Sequence, residues 1–377
     1  MSVSEASRAE HRLREVVLLF LRFGFTAFGG PVAHLALMER EVVQTRGWLT
    51  RDEFLDLLGL TQLIPGPNST EMAIHLGKLR AGTAGLLLGG AAFILPSACM
   101  VGGLAWAYAR YGTLPAAIGW LYGLKPALLA IVGQALLRFG KALLTERLRW
   151  IVAGLSLLAV AAGLPELGIL LGAGLLLMAA KAGLPRGAAA GWVLFPGLGT
   201  GGSVFLTFLK IGSVLYGSGY VLLAFLRAEC VVRHGWITER QLLDAVAVGQ
   251  FTPGPVFTTA TFVGYLIQGW KGAVLATVGI FLPSFLLVAA SGKLLKRLQA
   301  SPRARAFLDG VNAASLALMA AVLVPLGRAA LVDPWTLLLA AVSAGLLWRS
   351  KLNPTWILLG SGALGWGLHG ILAHAHP

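Results

Sequence analysis

Charge is what this sequence has least of. Only 12% of its 377 residues are Asp, Glu, Lys or Arg, about half the share of an ordinary soluble domain. With 57% hydrophobic residues and a mean hydropathy of +0.78, that scarcity excludes a soluble globular protein and calls for a polytopic membrane protein. Acid is scarcer than base: 16 Asp and Glu stand against 30 Lys and Arg, a formal charge of +14. Such an excess reads first as basic cytoplasmic loops, and it is compatible with a field that draws anions. Cysteine is nearly missing. Cys99 and Cys230 stand alone, which excludes a CxxC redox pair, a thiolate metal site and a disulfide framework. No HExxH or Walker A loop occurs and no GxGxxG follows a strand, so an enzyme is not expected, nor any cofactor, metal or nucleic-acid partner. The N-terminal stretch has no small-residue cleavage site, so the first apolar segment reads as a retained helix. Arg8, Arg12 and Arg14 favour a cytoplasmic N-terminus.

What is present is a break, used twice. Gln62-Leu-Ile-Pro-Gly-Pro67 returns as Gln250-Phe-Thr-Pro-Gly-Pro255. A Pro-Gly-Pro triplet cannot be carried through a helix, because each proline lacks its N–H and glycine weakens what remains. Both copies lie in apolar sequence with a helical pattern on either side. Helices broken at membrane depth are tolerated only where the freed backbone lines a cavity or is buried in protein. Paired breaks in corresponding halves point to a transporter's binding site. The breaks belong to a longer repeat. Leu21 to Pro67 matches Leu209 to Pro255 at a constant offset of 188, and Gly77, Gly82, Gly85 and Pro96-Ser97 align with Gly264, Gly269, Gly272 and Pro283-Ser284. The chain is a duplication, read as an N-terminal repeat over 1–181, a linker over 182–202 and a C-terminal repeat over 203–377.

Each copy reads alike. A first apolar segment (Val16 to Phe28; Val204 to Tyr216) ends in Gly29-Gly30-Pro31 or Gly217-Ser218-Gly219, and an amphipathic helix follows. Thr50-x-x-Glu53 and Thr238-x-x-Gln241 are capping boxes that start the helix into each break. At about 14 residues that helix is about 21 Å long, too short for a hydrocarbon core of roughly 30 Å, so a half-helix or re-entrant arm is expected. After the break come a short helix (Thr70 to Leu79; Thr258 to Ile267) and a long one (Thr83 to Tyr108; Gly272 to Leu295), the latter kinked at Pro96 or Pro283. The next segment, Leu114 to Leu144, is interrupted at Lys125-Pro126, and two apolar runs close each half. The expected fold is an all-α polytopic membrane protein of about ten to twelve membrane segments, its two repeats inverted.

Phe28-Gly-Gly-Pro-Val-Ala-His34, Arg46-Gly-Trp48, Gln62-x-x-Pro-Gly-Pro67 and Leu95-Pro-Ser97 together resemble the chromate ion transporter family in its long, two-domain form. The resemblance covers nearly the whole chain. It implies a multi-pass protein of the bacterial inner membrane that exports chromate and confers resistance to it, with sulfate as the related anion. The partners expected are the oxyanion, membrane lipid and a second copy in a homodimer. A transporter of sulfate or another oxyanion is the alternative, and an intramembrane chromate reductase or hydrolase the alternative from another class. The halves differ: Tyr216-Gly-Ser-Gly219 replaces Phe28-Gly-Gly-Pro31, and Leu222 replaces His34.

A tetrahedral oxyanion needs N–H and O–H donors and positive charge in a dry place. The helix starts after the breaks offer free amides and the positive end of a dipole. The substrate candidates are therefore Gln62, Pro65, Gly66, Pro67, Asn68, Ser69 and Thr70, with Gln250, Pro253, Gly254, Pro255, Thr258 and Thr259 in the second copy. The bland alternative is that these residues only cap helix ends and satisfy the broken backbone. Arg22 and Lys210, repeat mates inside apolar runs, join them, since an intramembrane cation costs about 3 kcal/mol and reads as functional, against the alternative that Arg22 snorkels. For coupling or gating the candidates are His34, Glu71, Lys125 (with Asn312 as its mate), Gly29 and Gly30. His75 is a further relay candidate. Asp56, Asp244, Glu41 and Glu229 are expected to pair with loop arginines.

Overall fold

The capping boxes form as written: Thr50 and Thr238 each accept from the amide three residues on, while Glu53 and Gln241 reach back to the cap amides. Around them the computed structural model, which describes residues 3–112, 114–182, 203–216, 221–291, 301–350 and 352–375, is helical, with no strand among the described residues. The first half runs α1 (Val3–Thr26), α2 (Gly30–Glu39) continuing as a π-helical stretch (Arg40–Thr45), α3 (Arg51–Thr61), α4 (Asn68–Tyr111), α5 (Pro115–Leu143), α6 (Arg147–Ala161) and α7 (Glu166–Ala182). The second runs α8 (Val204–Val214), α9 (Leu222–Leu226) with its own π-helical stretch (Arg227–Arg233), α10 (Glu239–Phe251), a 3₁₀ turn (Val256–Thr258), α11 (Thr259–Ala290), α12 (Pro302–Ala330), α13 (Pro334–Arg349) and α14 (Pro354–Ala375). The linker from 183 to 202 and Gly217-Ser218-Gly219 lie outside the described residues.

One expectation about helix breaks needs correction, the interruption at Lys125-Pro126. The boundary between the short and the long helix falls where the sequence reading places it: α4 turns at Ala81–Gly82 and α11 at Gln268–Gly269, where the glycines have φ of 64° and 61°. The limbs of each turn lie so close that a Cβ on Gly77 would stand 2.2 Å from the Gly85 carbonyl oxygen, so each turn is a tight antiparallel hairpin. Pro96 and Pro283 stay inside helix, and Pro126 likewise leaves α5 uninterrupted. One missing amide costs a helix a single bond, which packed neighbours can offset in a membrane protein. At Pro96 the neighbour is α1, whose Gly24 allows direct contact with the proline ring and the Ala92 and Phe93 carbonyls.

α4 and α11 pack together at the centre of the molecule and run antiparallel: Gly90 lies against the Phe285 ring and Gly102 against the Trp270 ring. Lys78 closes the same contact by donating to the carbonyls of Val288 (2.8 Å) and Ala289 (3.0 Å) at the end of α11, a cation on the negative end of a helix dipole. Mates that run antiparallel make the repeats inverted. We call the face where α1 begins the N-face and the opposite one the far face. Arg80 pairs with Glu15 at 2.7 Å and lies over the Trp48 ring, so α3 and the first limb of α4 enter from the N-face and return to it.

The halves also interlock. α6 and α7 of the first half pack on α12 of the second, and α13 and α14 of the second pack on α5 of the first. Matching positions tie this exchange on both faces with different chemistry. Asp309 binds Arg149 (2.6 Å) and Lys181 (3.5 Å) on one, while Asp333 accepts from Tyr122 (2.6 Å) on the other.

Against ten to twelve expected segments, four helices among the described residues are long and apolar enough to cross a membrane alone: α4, α5, α11 and α12. The others are shorter or broken. The outer surface is apolar, with Leu18, Leu87, Leu95, Leu158 and Leu286 about half exposed or more. Trp150 and Trp348 lie at helix ends on the N-face, and Trp106, Trp270 and Trp335 at far-face ends. Paired aromatic belts around an apolar band are the mark of a protein in a bilayer.

Candidate functional site

Each break is completed by the other half. The Gly66 amide donates to the Leu215 carbonyl at 2.8 Å, and the Gly254 amide donates to the Ala27 carbonyl at 2.9 Å. Ala27 and Leu215 are themselves repeat mates, the last turns of α1 and α8. Two backbone bonds thus cross the pseudo-two-fold axis and hold the breaks side by side. Only glycine fits here. Gly66 and Gly254 have φ of 140° and 89°, and a Cβ on them would stand 2.3 Å from Ser284 Oγ and 2.7 Å from Ser97 Cβ.

Those serines are the residues that the sequence reading left out of the site. They follow the prolines that do not break α4 and α11, and the repetition of Pro-Ser at matched positions was the available signal. Ser97 lies 2.9 Å from the Thr258 hydroxyl, which itself donates to the Pro255 carbonyl, so Ser97 is the donor of that pair. In the mirror position Ser284 donates to Glu71 Oε1 at 3.3 Å. Pro65, Gly66 and Pro67, with Ser69, Thr70 and Glu71, are buried, as are Pro253, Gly254, Pro255, Thr258 and Thr259. At the two helix starts no side chain caps the helix, but Thr258 and Thr259 donate to carbonyls of their own turn, as the alternative that these residues satisfy the broken backbone expects. The Thr70 hydroxyl, Glu71 Oε2 and His75 Nε2 are buried with no partner among the described residues. The centre is therefore a dry, donor-bearing junction of two helix starts with polar atoms to spare.

Other candidates fall elsewhere. Gln62 is exposed at the end of α3. Its mate Gln250 lines a cleft with Gly29, Ile131, Pro354, Thr355 and Leu358. Asn68 is half-buried and Gly30 caps nothing, holding only the turn into α2 (φ 76°). His34 is buried and structural in its contacts: Nε2 donates to the Ala27 carbonyl at 3.0 Å, leaving Nδ1 to face Ser69 Oγ at 3.4 Å. It joins α1, α2 and α4 at one of the two crossing points, a place filled by Leu222 in the other half.

The cations are not free. Arg22 pairs with Glu41 at 2.5 Å and Lys210 with Glu229 at 2.6 Å, the same bond in both halves, made to the first turn of each π-helical stretch. Arg46 and Arg233 also reach these acids at 3.3 and 3.5 Å, so the expected loop arginines take part as secondary partners. Arg22 remains half exposed while Lys210 is mostly covered. The expectation for the aspartates fails differently. Asp56 is exposed, and Asp244 is paired with Lys125 at 3.0 Å in the interior.

Crossed, inverted breaks made by one repeat used twice are the feature to set against known proteins. The family model described as "Chromate transporter" matches residues 14–178 and again 202–366. The chain belongs to the chromate transporter family. A protein of Cupriavidus metallidurans named "Chromate transport protein" is 34% identical over 97% of this chain and 95% of its own length. One of the same name from Pseudomonas aeruginosa is 33% identical over 92% and 90%. A "Probable chromate transport protein" of Synechococcus elongatus is 31% identical over 90% and 91%. No solved structure matches the chain. Membership of the chromate transporter family makes this a membrane transport protein and sets the enzyme reading aside.

Proposed function

We propose that this protein is a secondary transporter that exports chromate from the cytoplasm across the inner membrane and so confers resistance, with the anion held where the two Pro-Gly-Pro breaks cross. The observation that carries the reading is the reciprocal pair of bonds from Gly66 and Gly254 to Leu215 and Ala27. They bring two helix starts, each the positive end of a dipole with early amides to share, to one buried point. The Thr70 hydroxyl is unpartnered there, and Ser97, Thr258 and Ser284, which in this conformer donate to Thr258, the Pro255 carbonyl and Glu71, turn to the anion when it binds. A dianion there is met by dipoles and O–H donors, while Arg22 and Lys210, each tied to its glutamate, contribute field rather than contact. Glu71 is the coupling group of this reading. Its ionised form would repel the cargo, so proton and anion compete for one site. Relatives named for chromate transport support the cargo.

The basic residues support the orientation. Arg40, Arg46, Arg51, Arg80, Arg138, Lys141, Arg147, Arg149, Lys181, Arg303, Arg305 and Arg349 lie toward the N-face, against Arg110, Arg227, Arg233, Arg240, Lys271 and Arg328 toward the far face. By the positive-inside rule the N-face is cytoplasmic.

The test is uptake of labelled chromate into inverted membrane vesicles, with and without excess sulfate, for the wild type and for Ser97→Ala combined with Ser284→Ala. Energy-dependent accumulation that drops about tenfold in the double variant supports the reading. Accumulation unchanged by the double variant refutes the site. Transport of sulfate but not chromate refutes the cargo.

A further inference from the structure

α3 and α10 are the same element in the two repeats, each opened by a capping box and ended by a break. Their surroundings differ. α10 is buried at every residue from Leu242 to Gly249, packed against α5, α11 and α12. α3 packs mainly on α4 and leaves Leu55, Asp56 and Gln62 exposed. The crossing bonds and the exchanged helices are present in both halves and do not share this asymmetry. The helices before the half-helices do: α9 is buried throughout and packs on α12, while its mate α2 leaves Ala36 exposed and packs on α4, so the difference belongs to each half-helix together with the helix that leads into it.

One cluster marks it. Asp244 on α10, 1% exposed, lies 3.0 Å from the Lys125 ammonium of α5 and accepts from the Tyr108 hydroxyl of α4 at 2.9 Å. Both partners come from the other repeat. The mates of the ion pair cannot repeat it: Asp56 is exposed on α3, and Asn312 stands for Lys125. A buried ion pair is a poor device for stability, since its desolvation consumes most of the attraction and apolar side chains of like volume do as well. It is a good device for an all-or-none contact, because parting the charges by a few ångströms either strands them or admits water. The pair joins the half-helix leading to the second break to a helix of the opposite repeat.

We propose that Lys125, Asp244 and Tyr108 form the latch of a far-face gate. In this conformer α10 is locked against α5 and the far face is closed, while α3 stands undocked on the N-face. Opening toward the far face parts Lys125 from Asp244 and swings α10 away, and α3 takes the corresponding place against α12 beside Asn312. This rests on the alternating use of the two faces by a transporter. Because Asn312 carries no charge, the N-face gate has no latch of this kind and closes by packing.

The experiment places a reporter cysteine at Ala247, a fully buried position of α10, in protein carrying Cys99→Ser and Cys230→Ala. A membrane-impermeant maleimide is applied to the far face of proteoliposomes without any chromate, so the test stands whether or not the cargo is correctly assigned. Lys125→Met and Asp244→Asn should each speed labelling about tenfold or more, and Asp56→Asn by less than twofold. A control cysteine at Ala276, buried in the second limb of α11 against Gly264, should stay unreacted in all of them. The exchanged pair, Lys125→Asp with Asp244→Lys, should return labelling toward the wild-type rate, and it serves if a single variant does not fold. Labelling unchanged by breaking the pair overturns the latch. So does equal labelling of the two cysteines, which would mean that the cluster holds the fold together instead of a gate.

Discussion

The two halves of this transporter agree wherever they meet backbone to backbone and differ wherever they meet side chain to side chain. Gly66 and Gly254 make the same bond, and α6–α7 and α13–α14 make the same embrace. His34 against Leu222, Glu71 against Thr259, and Lys125 against Asn312 are where the symmetry lapses. A duplicated chain of this kind needs its scaffold twice, once for each face, but needs a proton carrier or a latch only once. The symmetric contacts read as architecture and the asymmetric ones as control.

The most severe way to break that comparison is at the glycines. Gly66→Ala and Gly254→Ala each force a Cβ into serine side chains from a backbone region that alanine avoids, a cost of about 3 kcal/mol or more. Both should abolish transport in the vesicle assay and lower the yield of folded protein equally. One tolerated glycine would mean that the crossing is not a symmetric device. Glu71→Gln comes next, because Thr259 offers no substitute. We expect accumulation driven by a pH gradient to fall at least about tenfold while passive exchange of labelled for unlabelled chromate persists, and loss of both together would make Glu71 structural.

Smaller effects sharpen the contrast between the paired cations. Lys210→Ala leaves Glu229, which is 6% exposed, only the longer contact from Arg233 at 3.5 Å, whereas Arg22→Ala frees Glu41 from a partner that is half in solvent already and leaves it Arg46 at 3.3 Å. Lys210→Ala should lower the unfolding temperature in detergent by several degrees and Arg22→Ala by clearly less, since a covered pair loses more when one member goes. The reverse order would show that Arg22 does more than neutralise Glu41. The mildest change is His34→Leu, which copies the other half. It removes bonds worth about 1 kcal/mol and should leave transport within about threefold of wild type; complete loss would make His34 a proton relay.

Much of this was legible in the chain because it is written in local chemistry. Pro-Gly-Pro lacks the amides that a helix needs, and Thr-x-x-Glu or Thr-x-x-Gln supplies the ones that a helix start lacks. Both act within a turn of themselves, so the breaks, the half-helices and the duplication could be read directly. Low charge and high hydropathy placed the whole in a membrane for the same reason: transfer from water is a property of composition. The misreadings concern competition between neighbours. Lys125-Pro126 looks like a break, yet a packed helix absorbs one missing bond, whereas the turn between the short and long helices, read at residues 80–82, forms at Ala81–Gly82, where a positive φ and two close limbs cost least. Ser97 and Ser284 stood in the sequence only as matched repeat positions, and they reach the breaks because α4 and α11 carry each serine to the other half's glycine.

What the sequence determined by itself is which residues could not be helical and which could not be wet. Those are questions of single-residue backbone freedom and solvation, answered within a few positions. Which break meets which carbonyl, that Asp244 finds Lys125 while Asp56 stays exposed, and that one half-helix is buried along its length while its mate is covered on one side only were decided only by the tertiary structure. A buried charge or an orphaned amide must have a partner, but its energy is indifferent to where in the chain that partner sits. The choice falls to the packing of α4 against α11 and of each half's last helices against the other.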